Sequence, residues 1–261
     1  LQAAAPTAGP SGMADRSIYQ VPVESFFLRA MDGRLDAAAK QRLSQINQQL
    51  AGLYTRFSQN VLAEEDQQML LLADEAELAG LPESARAAAA AAAESRGHKG
   101  QWAVLNTRSS VEPFLAFSSR RDLREKVWRT FVNRGDNGGE KDNNTTIAEI
   151  LALRAARSQL LGYPTHAHWR LENTMAKTPE RAMQLMEAVW PPAVARVREE
   201  VADTQAIADA EGAGLTIEPW DYRYYAERVR KAKFDLDQDE IKPYLQLDRL
   251  REGMFYVAEK L

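Results

Sequence analysis

The chain has 261 residues and a formal net charge of -4 at pH 7, with 45% hydrophobic and 27% charged residues. This balance supports a sizeable buried core and gives no reason to expect nucleic acid or a membrane surface as a partner. The absence of cysteine excludes disulfides, thiolate nucleophiles and cysteine-ligated zinc. No stretch reaches the ~20 apolar residues of a membrane helix, so we predict a soluble protein, in the cytoplasm or alternatively in the periplasm.

The start of the chain predicts a tail or foreign remnant over residues 1–27. Residues 1–17 are rich in Ala, Pro, Gly, Ser and Thr, and they show neither a helical nor a strand period. The chain also begins with Leu1 instead of Met. We therefore expect that an upstream part was removed.

Residues 28–118 are predicted to form a helical hairpin with a short strand region. Asp36 can cap a long first helix, and an alanine-rich second helix follows Pro82. The alternation around Trp102 permits one short strand, with at most a small hairpin near 101–115. The first helix carries apolar side chains at spacings of three and four: Leu43, Ile46, Leu50, Leu53 and Phe57.

Residues beyond 118 are predicted to form a helical lobe over 119–261. Ser119 belongs to a pattern that resembles a capping box, and a long helix opens at Pro179. Pro191 and Pro192 fall inside that helix and predict a kink or a break. Its apolar stripe consists of Met183, Met186, Trp190, Val194, Val197 and Val201.

The final predicted helix begins near Asp248, after a short element at Asp237, and it shows no stop signal. Natural helices usually end with glycine, a basic last turn or a proline. The stripe reaches the last residue of the chain through Leu250, Met254, Ala258 and Leu261. We therefore predict a cut polypeptide. Because spacings of three and four dominate throughout, we predict an all-α fold, a multi-helix lobe with at most one small β-hairpin.

Three histidines are the first candidates for a metal site: His98, His166 and His168. Thr165 resembles an N-cap, and side chains two residues apart on a helix point about 200° away from each other. We therefore favour structural or surface roles for His166 and His168, and a solvated loop position for His98. A metal site at His166 and His168 is the alternative.

An acidic cluster of Asp136, Glu140 and Asp142 is the second candidate. Calcium is one interpretation, because carboxylate oxygens are its usual ligands. The spacing does not match an EF-hand loop, so we favour a polar connector between helices.

A run of aromatic residues is the third candidate: Trp220, Tyr222, Tyr224 and Tyr225, with Asp221 among them. These rings could line a groove for a peptide. We favour an aromatic packing cluster at a helix start that Asp221 caps.

Several short segments together resemble one family. They are residues 57–62, 78–82, 123–126, 151–154, 160–163, 175–179, 219–221, 224–225 and 242–244. In this order and combination they are similar to the zinc oligopeptidases of the thimet oligopeptidase type, family M3, over roughly residues 35–261. Leu-Ala-Gly-Leu-Pro at 78–82 and Pro-Trp-Asp at 219–221 look more like the peptidyl-dipeptidase branch.

The resemblance implies a mostly helical, two-lobed peptidase in which a His-Glu-x-x-His helix and a further glutamate hold zinc. Those groups belong to the family's C-terminal part, and none maps onto a residue of this sequence. We therefore predict that this chain contains no catalytic, cofactor-binding or metal-binding residue. We also predict that it is truncated before the catalytic zinc domain. Zinc, an oligopeptide substrate and the remaining C-terminal part of the polypeptide would be the cofactor and partners of the intact enzyme.

The function hypothesis is a non-catalytic fragment of a peptidyl-dipeptidase-like zinc peptidase, which releases C-terminal dipeptides from oligopeptides. One alternative is a fragment of oligopeptidase A. The other is an inert helical interaction module that shares the fold.

Overall fold

A computed structural model describes residues 35–235, 241 and 244–261. These residues are mostly helical with one two-stranded sheet, which confirms the predicted fold class. The predicted tail and the short element at Asp237 lie outside the described residues. The helices are α1 (Ala37–Gln67), α2 (Glu83–Glu94), α3 (Arg108–Phe117), α4 (Arg121–Val132), α5 (Asn144–Leu160), α6 (His166–Leu171), α7 (Pro179–Ala210), α8 (Tyr222–Phe234) and α9 (Leu247–Lys260), and the strands are β1 (Met69–Leu72) and β2 (Trp102–Leu105).

The chain divides into two compact units. One comprises the residues up to Phe57 together with Thr145–Ala182, and the other comprises Ser58–Asn144 and Met183–Leu261. The sequence-based division at residue 118 stays a prediction. In the part of the chain that the structure describes, no helix combines the length and the apolar character needed to cross a bilayer.

The core of the first unit forms where α1 meets α5 and α6. Asp36 caps α1 as predicted, because its Oδ1 accepts a hydrogen bond of 2.8 Å from the Ala39 N–H. The predicted face of α1 is buried only as far as Leu53, and Phe57 is 38% exposed. The buried side chains are Ile46, Leu50, Leu53 and Ile150, and next to them Leu43, Leu161 and Trp169.

The core of the second unit surrounds the sheet. The predicted strand at Trp102 is present, but it pairs antiparallel with β1, with Leu72 opposite Trp102. The small sheet therefore does not lie within 101–115 as expected, because Thr107 is the N-cap of α3 and the chain turns helical there. Sequence reasoning missed β1 because its Met-Leu-Leu-Leu run has no alternation.

Two other local predictions fail. The capping box at Ser119 is absent: Arg120 is the N-cap of α4, and the Ser119 N–H donates to the Ala79 carbonyl at 2.9 Å. Of the kink or break predicted at Pro191 and Pro192, the break is wrong, since α7 runs through both as one helix of 32 residues, and the kink stays a prediction. Two adjacent prolines remove only two donors, and the rest of this long helix keeps its hydrogen bonds.

Candidate functional site

The histidines of α6 bind neighbouring side chains. The His168 Nδ1 lies 2.8 Å from the Thr165 Oγ1, and its Nε2 lies 3.6 Å from a carboxylate oxygen of Glu180. The His166 ring packs edge-on against Trp169 at 5.5 Å between centroids. Among the described residues, no group of three His, Cys, Asp or Glu side chains is placed to hold a metal ion. These contacts are compatible with structural roles for His166 and His168, and the absence of a metal site at these histidines stays a prediction.

His166 is held in its neutral form. Burial is the main cause that lowers its pKa from 6.5 to about 4, and the positive charges of Arg154, Arg157 and Arg170 lower it further. The third histidine, His98, is half-buried in its loop, so it is less solvated than the sequence predicted.

The acidic cluster organises a loop between α4 and α5. The Asp142 Oδ1 accepts a hydrogen bond of 2.8 Å from the Asn144 N–H, and the Asp136 Oδ1 accepts one of 2.6 Å from the Asn144 side chain. The buried carboxylate of Glu64 accepts a 2.6 Å bond from the Gly135 N–H. The loop is thus held by its own side chains and by Glu64 of α1, and its role as a polar connector stays a prediction.

The aromatic run contains the most buried charged contact of the chain's described part. Asp221 is fully buried, and its Oδ1 lies 2.7 Å from the Nη2 of Arg124, which is itself 2% exposed. Its Oδ2 lies 2.8 Å from the Nη2 of Arg121, and this hydrogen bond is the main cause that raises the pKa of Arg121. Asp221 is the N-cap residue of α8, but its carboxylate binds these arginines of α4 and makes no side-chain cap bond to α8.

The rings beside Asp221 pack against one another and against arginines. Trp220 lies edge-on to Trp128 at 5.8 Å, and the Arg129 guanidinium lies 4.9 Å from the Trp220 ring. The Arg124 guanidinium lies 4.1 Å from the Tyr224 ring. The two arginine contacts are cation–π pairs, one from α4 to Tyr224 of α8 and one from α4 to Trp220, two residues before α8 begins. The rings therefore pack together as predicted, but the predicted capping of α8 by the Asp221 side chain is wrong, because its carboxylate binds Arg121 and Arg124 instead. The sequence analysis also missed the arginines that pack on the rings.

A signal for this arrangement was present in the sequence. The segments 123–126 and 219–221 both belong to the set that resembles the zinc oligopeptidases, and they contain Arg124 and Asp221. Their pairing over a separation of 97 residues is a tertiary contact that no local period encodes. A buried carboxylate needs a charged or hydrogen-bonded partner, so a buried Asp221 would itself have predicted a cation nearby.

A groove of about 590 Å³ lies between α2, α3 and α8. Of the predicted aromatic wall, Tyr222 lines this groove, whereas Tyr224 and Tyr225 are buried against Ala208. The groove's charged side chains are paired: Glu112 lies 3.2 Å from Arg223, and Glu227 lies 2.9 Å from Arg230. Its apolar lining includes Ala85, Ala88, Pro113, Ala116 and Phe117. The groove can accept an apolar side chain, and its acidic side chains Glu112 and Glu227 each lie beside an arginine.

Comparison with known proteins decides the family. The sequence model of peptidase family M3 matches residues 114–261, which is more than half of the chain. The chain belongs to peptidase family M3. It is 35% identical over 251 residues to the dipeptidyl carboxypeptidase of Escherichia coli, which is 96% of this chain and 37% of that protein. It is 33% identical over 226 residues to the oligopeptidase A of Salmonella typhimurium, which is 85% of this chain and 33% of that protein.

A more distant match is the mitochondrial intermediate peptidase of Neurospora crassa, which is 31% identical over 119 residues, 44% of this chain. The chain spans little more than a third of the length of the Escherichia coli relative. The resemblance inferred from short segments is therefore confirmed at the level of the family, and the peptidyl-dipeptidase branch agrees with the higher identity of the two.

Proposed function

We propose that this chain is a helical scaffold portion of a zinc peptidase that releases C-terminal dipeptides from oligopeptides. The observation that carries the proposal is the 35% identity, over nearly the whole chain, to a protein named dipeptidyl carboxypeptidase. Family M3 membership supports hydrolysis of peptide bonds as the reaction of the intact enzyme. A cytoplasmic location is part of the proposal.

The residues of this chain do not fit a zinc centre of the M3 kind. Two zinc-binding histidines on a helix must lie one turn apart, at i and i+4, to face the same ion. His166 and His168 are two residues apart, and His98 is 68 residues from the nearer one. The described residues also contain no cluster of three metal-type ligands. We assign the zinc chemistry to the rest of the intact enzyme and none of its steps to this chain.

What this chain supplies is a rigid arrangement of helices. Asp221 joins α8 to α4 through Arg121 and Arg124, and neither Asp221 nor Arg124 is open to water. The Ser119 N–H bond to the Ala79 carbonyl anchors the turn before α4 to the segment before α2. Buried ionic and backbone contacts of this kind hold helices in one geometry, which is what the walls of a binding cleft require.

The partner that we propose is the remaining part of the same polypeptide. Helix α9 has no buried residue, and its apolar side chains are more than half exposed at Leu250, Met254 and Phe255. The predicted stripe of α7 is also largely open, with Trp190 71% exposed. Large exposed apolar patches usually mark contact surfaces. The chain matches only 37% of the Escherichia coli protein. This supports further polypeptide as the surface that packs against these exposed helix faces.

The proposal is tested with the purified chain beside the Escherichia coli dipeptidyl carboxypeptidase. Both proteins are incubated with zinc and an N-blocked tetrapeptide that has a free carboxyl end, and products are separated by mass. We expect dipeptide release by the relative and none by this chain. Zinc-dependent hydrolysis by this chain, abolished by a chelator, would contradict the scaffold assignment.

The reading frame after codon 261 tests the parent activity. A downstream His-Glu-x-x-His supports the peptidase, and a stop codon directly after Leu261 favours the inert helical module. Oligopeptidase A remains the alternative within the family, supported by 33% identity. Cleavage at internal bonds by the longer protein, without stepwise loss of dipeptides from the carboxyl end, would favour it.

A further inference from the structure

Asn137 and Gly138 form the single Asn-Gly dipeptide of the sequence, in the loop between α4 and α5. Both residues are exposed, and a Cβ added at Gly138 would meet nothing within 4 Å. Among the described residues, the Gly138 N–H has no hydrogen-bond partner. A glycine has no side chain to shield its own amide nitrogen, so other atoms can approach that nitrogen closely. The Gly138 nitrogen is therefore open to solvent and to the side chain that precedes it.

The Asn137 side chain binds a buried carboxylate of α1. Its Nδ2 donates to the Glu64 Oε2 at 3.1 Å, and the Gly135 N–H donates to the same oxygen at 2.6 Å. Glu64 is 3% exposed. A carboxylate oxygen only accepts hydrogen bonds, so this contact requires a donor at residue 137. Conversion of the Asn137 amide into a carboxylate would replace that donor with a second acceptor of like charge.

The loop has two further anchors that do not involve Asn137. The Asn60 Nδ2 donates to the Asn143 Oδ1 at 3.0 Å, and the Asn143 N–H donates to the Gly135 carbonyl at 2.8 Å. Neither bond depends on the charge at residue 137. Loss of the Glu64 contact should therefore open the loop locally, around residues 135–138, and leave α4 and α5 folded.

We propose that Asn137–Gly138 is a site of spontaneous deamidation, and that its product releases residues 135–138 from Glu64. The Gly138 nitrogen loses its proton and bonds to the Asn137 Cγ, the Cγ–Nδ2 bond breaks, and the side-chain nitrogen leaves with that proton as ammonia. Water then opens the cyclic imide at one of its two carbonyl groups, which leaves an aspartyl or an isoaspartyl linkage.

Both products carry a carboxylate in place of the amide that binds Glu64. The reaction consumes only water and requires no oxidant, reductant or cofactor. It is independent of the zinc chemistry and of the function proposed above. The consequence is a slow, irreversible change by which the loop loses its contact with α1 as the protein ages.

The reaction is followed in the full chain during incubation at 37 °C and mildly alkaline pH. Peptide mapping by mass spectrometry locates the increase of about 1 Da that follows when an amide becomes a carboxylic acid. We expect this increase at Asn137 ahead of every other asparagine of the sequence. Conversion at other asparagines with none at residue 137 would overturn the proposal.

Two matched glycine variants test the attacking nitrogen. Gly138 and Gly139 have φ of +76° and +78°, and a Cβ at either position meets nothing within 4 Å, so alanine introduces similar backbone strain at both. Gly138→Ala should slow deamidation of Asn137 about tenfold, because the new side chain hinders the attacking nitrogen. Gly139→Ala should leave the rate within about twofold of the wild type. Equal slowing by both variants would contradict the proposed attack.

Asn137→Asp tests the consequence without the incubation. We expect amide exchange of Gly135, whose N–H donates to Glu64, to become about tenfold faster. Asn173→Asp adds the same charge at an exposed asparagine of the other unit, and it should change this rate by less than about twofold. In the Glu64→Gln background the effect of Asn137→Asp should also fall below about twofold, because an amide at residue 64 can donate to the new carboxylate.

The two measurements together decide the proposal. Preferred deamidation at Asn137, with faster Gly135 exchange that depends on Glu64, supports it. A Gly135 exchange rate that Asn137→Asp leaves unchanged would overturn the proposed release of the loop. So would an equal increase of that rate in the Glu64→Gln background, because the two carboxylates would then not oppose each other.

Discussion

The sheet-centred core and helix α9 both lie in the second unit, and both have apolar residues at regular spacing. In the core, Leu72, Val111 and Leu115 are at most 2% exposed. In α9, Leu250 and Met254 occupy equivalent stripe positions and are 52% and 62% exposed. The difference lies in the neighbours: β1, β2 and α2 to α4 cover one another, whereas no described element buries a residue of α9. Apolar periodicity therefore predicts the helix but not its burial, which depends on the presence of a partner surface.

Among the changes that test this contrast between buried and exposed contacts, we expect the largest loss of stability at Asp221. Asp221→Ala leaves the guanidinium of Arg124 buried without its carboxylate, and removal of one partner of such a pair costs about 3 to 5 kcal/mol of unfolding free energy. Urea denaturation followed by circular dichroism measures the loss. The control is Asp122→Ala, which removes a solvent-exposed ion pair with Arg120 and should cost far less than Asp221→Ala. Equal losses in the two variants would show that burial gives Asp221 no special weight.

A second test concerns the packing of Gly80 against the turn before α4. Gly80 has φ of +85°, and a Cβ there would overlap the Phe117 carbonyl oxygen and lie 2.9 Å from the Ser119 nitrogen. Gly80→Ala therefore combines left-handed backbone strain with a backbone clash, and we expect a loss of about 3 kcal/mol in urea denaturation.

Gly97 is the matched control for Gly80. Its φ is +84°, but a Cβ at this position meets nothing within 4 Å. Gly97→Ala should cost only the backbone strain, about 1 kcal/mol. If both variants lose the same stability, the close approach at Gly80 contributes nothing.

The sequence reveals local features of this fold and misses its tertiary contacts. The helices were predictable because their caps and spacings are local, as with Asp36 at the start of α1. The partner of β2 was not, because β1 lies about 30 residues earlier and has no strand period. The Asp221 network escaped for the same reason, since its arginines lie about 100 residues before it. The side chain of Asn106 is buried, and its amide has no hydrogen-bond partner among the described residues. That burial is a result of tertiary packing, so only the structure reveals it.

A smaller effect extends the comparison to the first unit. The pKa of His166 in the folded chain is about 4, below its ordinary value of 6.5, so between these two values the unfolded chain binds a proton that the folded chain does not. The stability from neutral His166 is complete above pH 6.5 and is lost as the pH falls toward 4. Because the ring is only partly buried, we expect a loss of about 1 kcal/mol.

The variant His166→Phe isolates this effect from the carboxylates that titrate in the same range. Phe keeps an aromatic contact with Trp169 and cannot take up a proton. Thermal denaturation of both proteins between pH 4 and 7 should show a steeper decline in the wild type. Parallel profiles would mean that His166 does not contribute to the acid sensitivity.

The smallest effect on stability is expected at α9, where it sharpens the opening contrast. Leu250→Lys together with Met254→Lys should change the free energy of unfolding by less than about 0.5 kcal/mol, because both side chains are already more than half exposed.

The same double substitution should alter association. If α9 pairs with a second copy, two lysines would have to be desolvated at the contact, and analytical ultracentrifugation should show a shift toward monomer. If α9 instead frays, amide exchange beyond Asp248 should be fast in the wild type. A strictly monomeric wild type with slow exchange through Leu261 would show that α9 is covered in solution, and the contrast with the sheet-centred core would disappear.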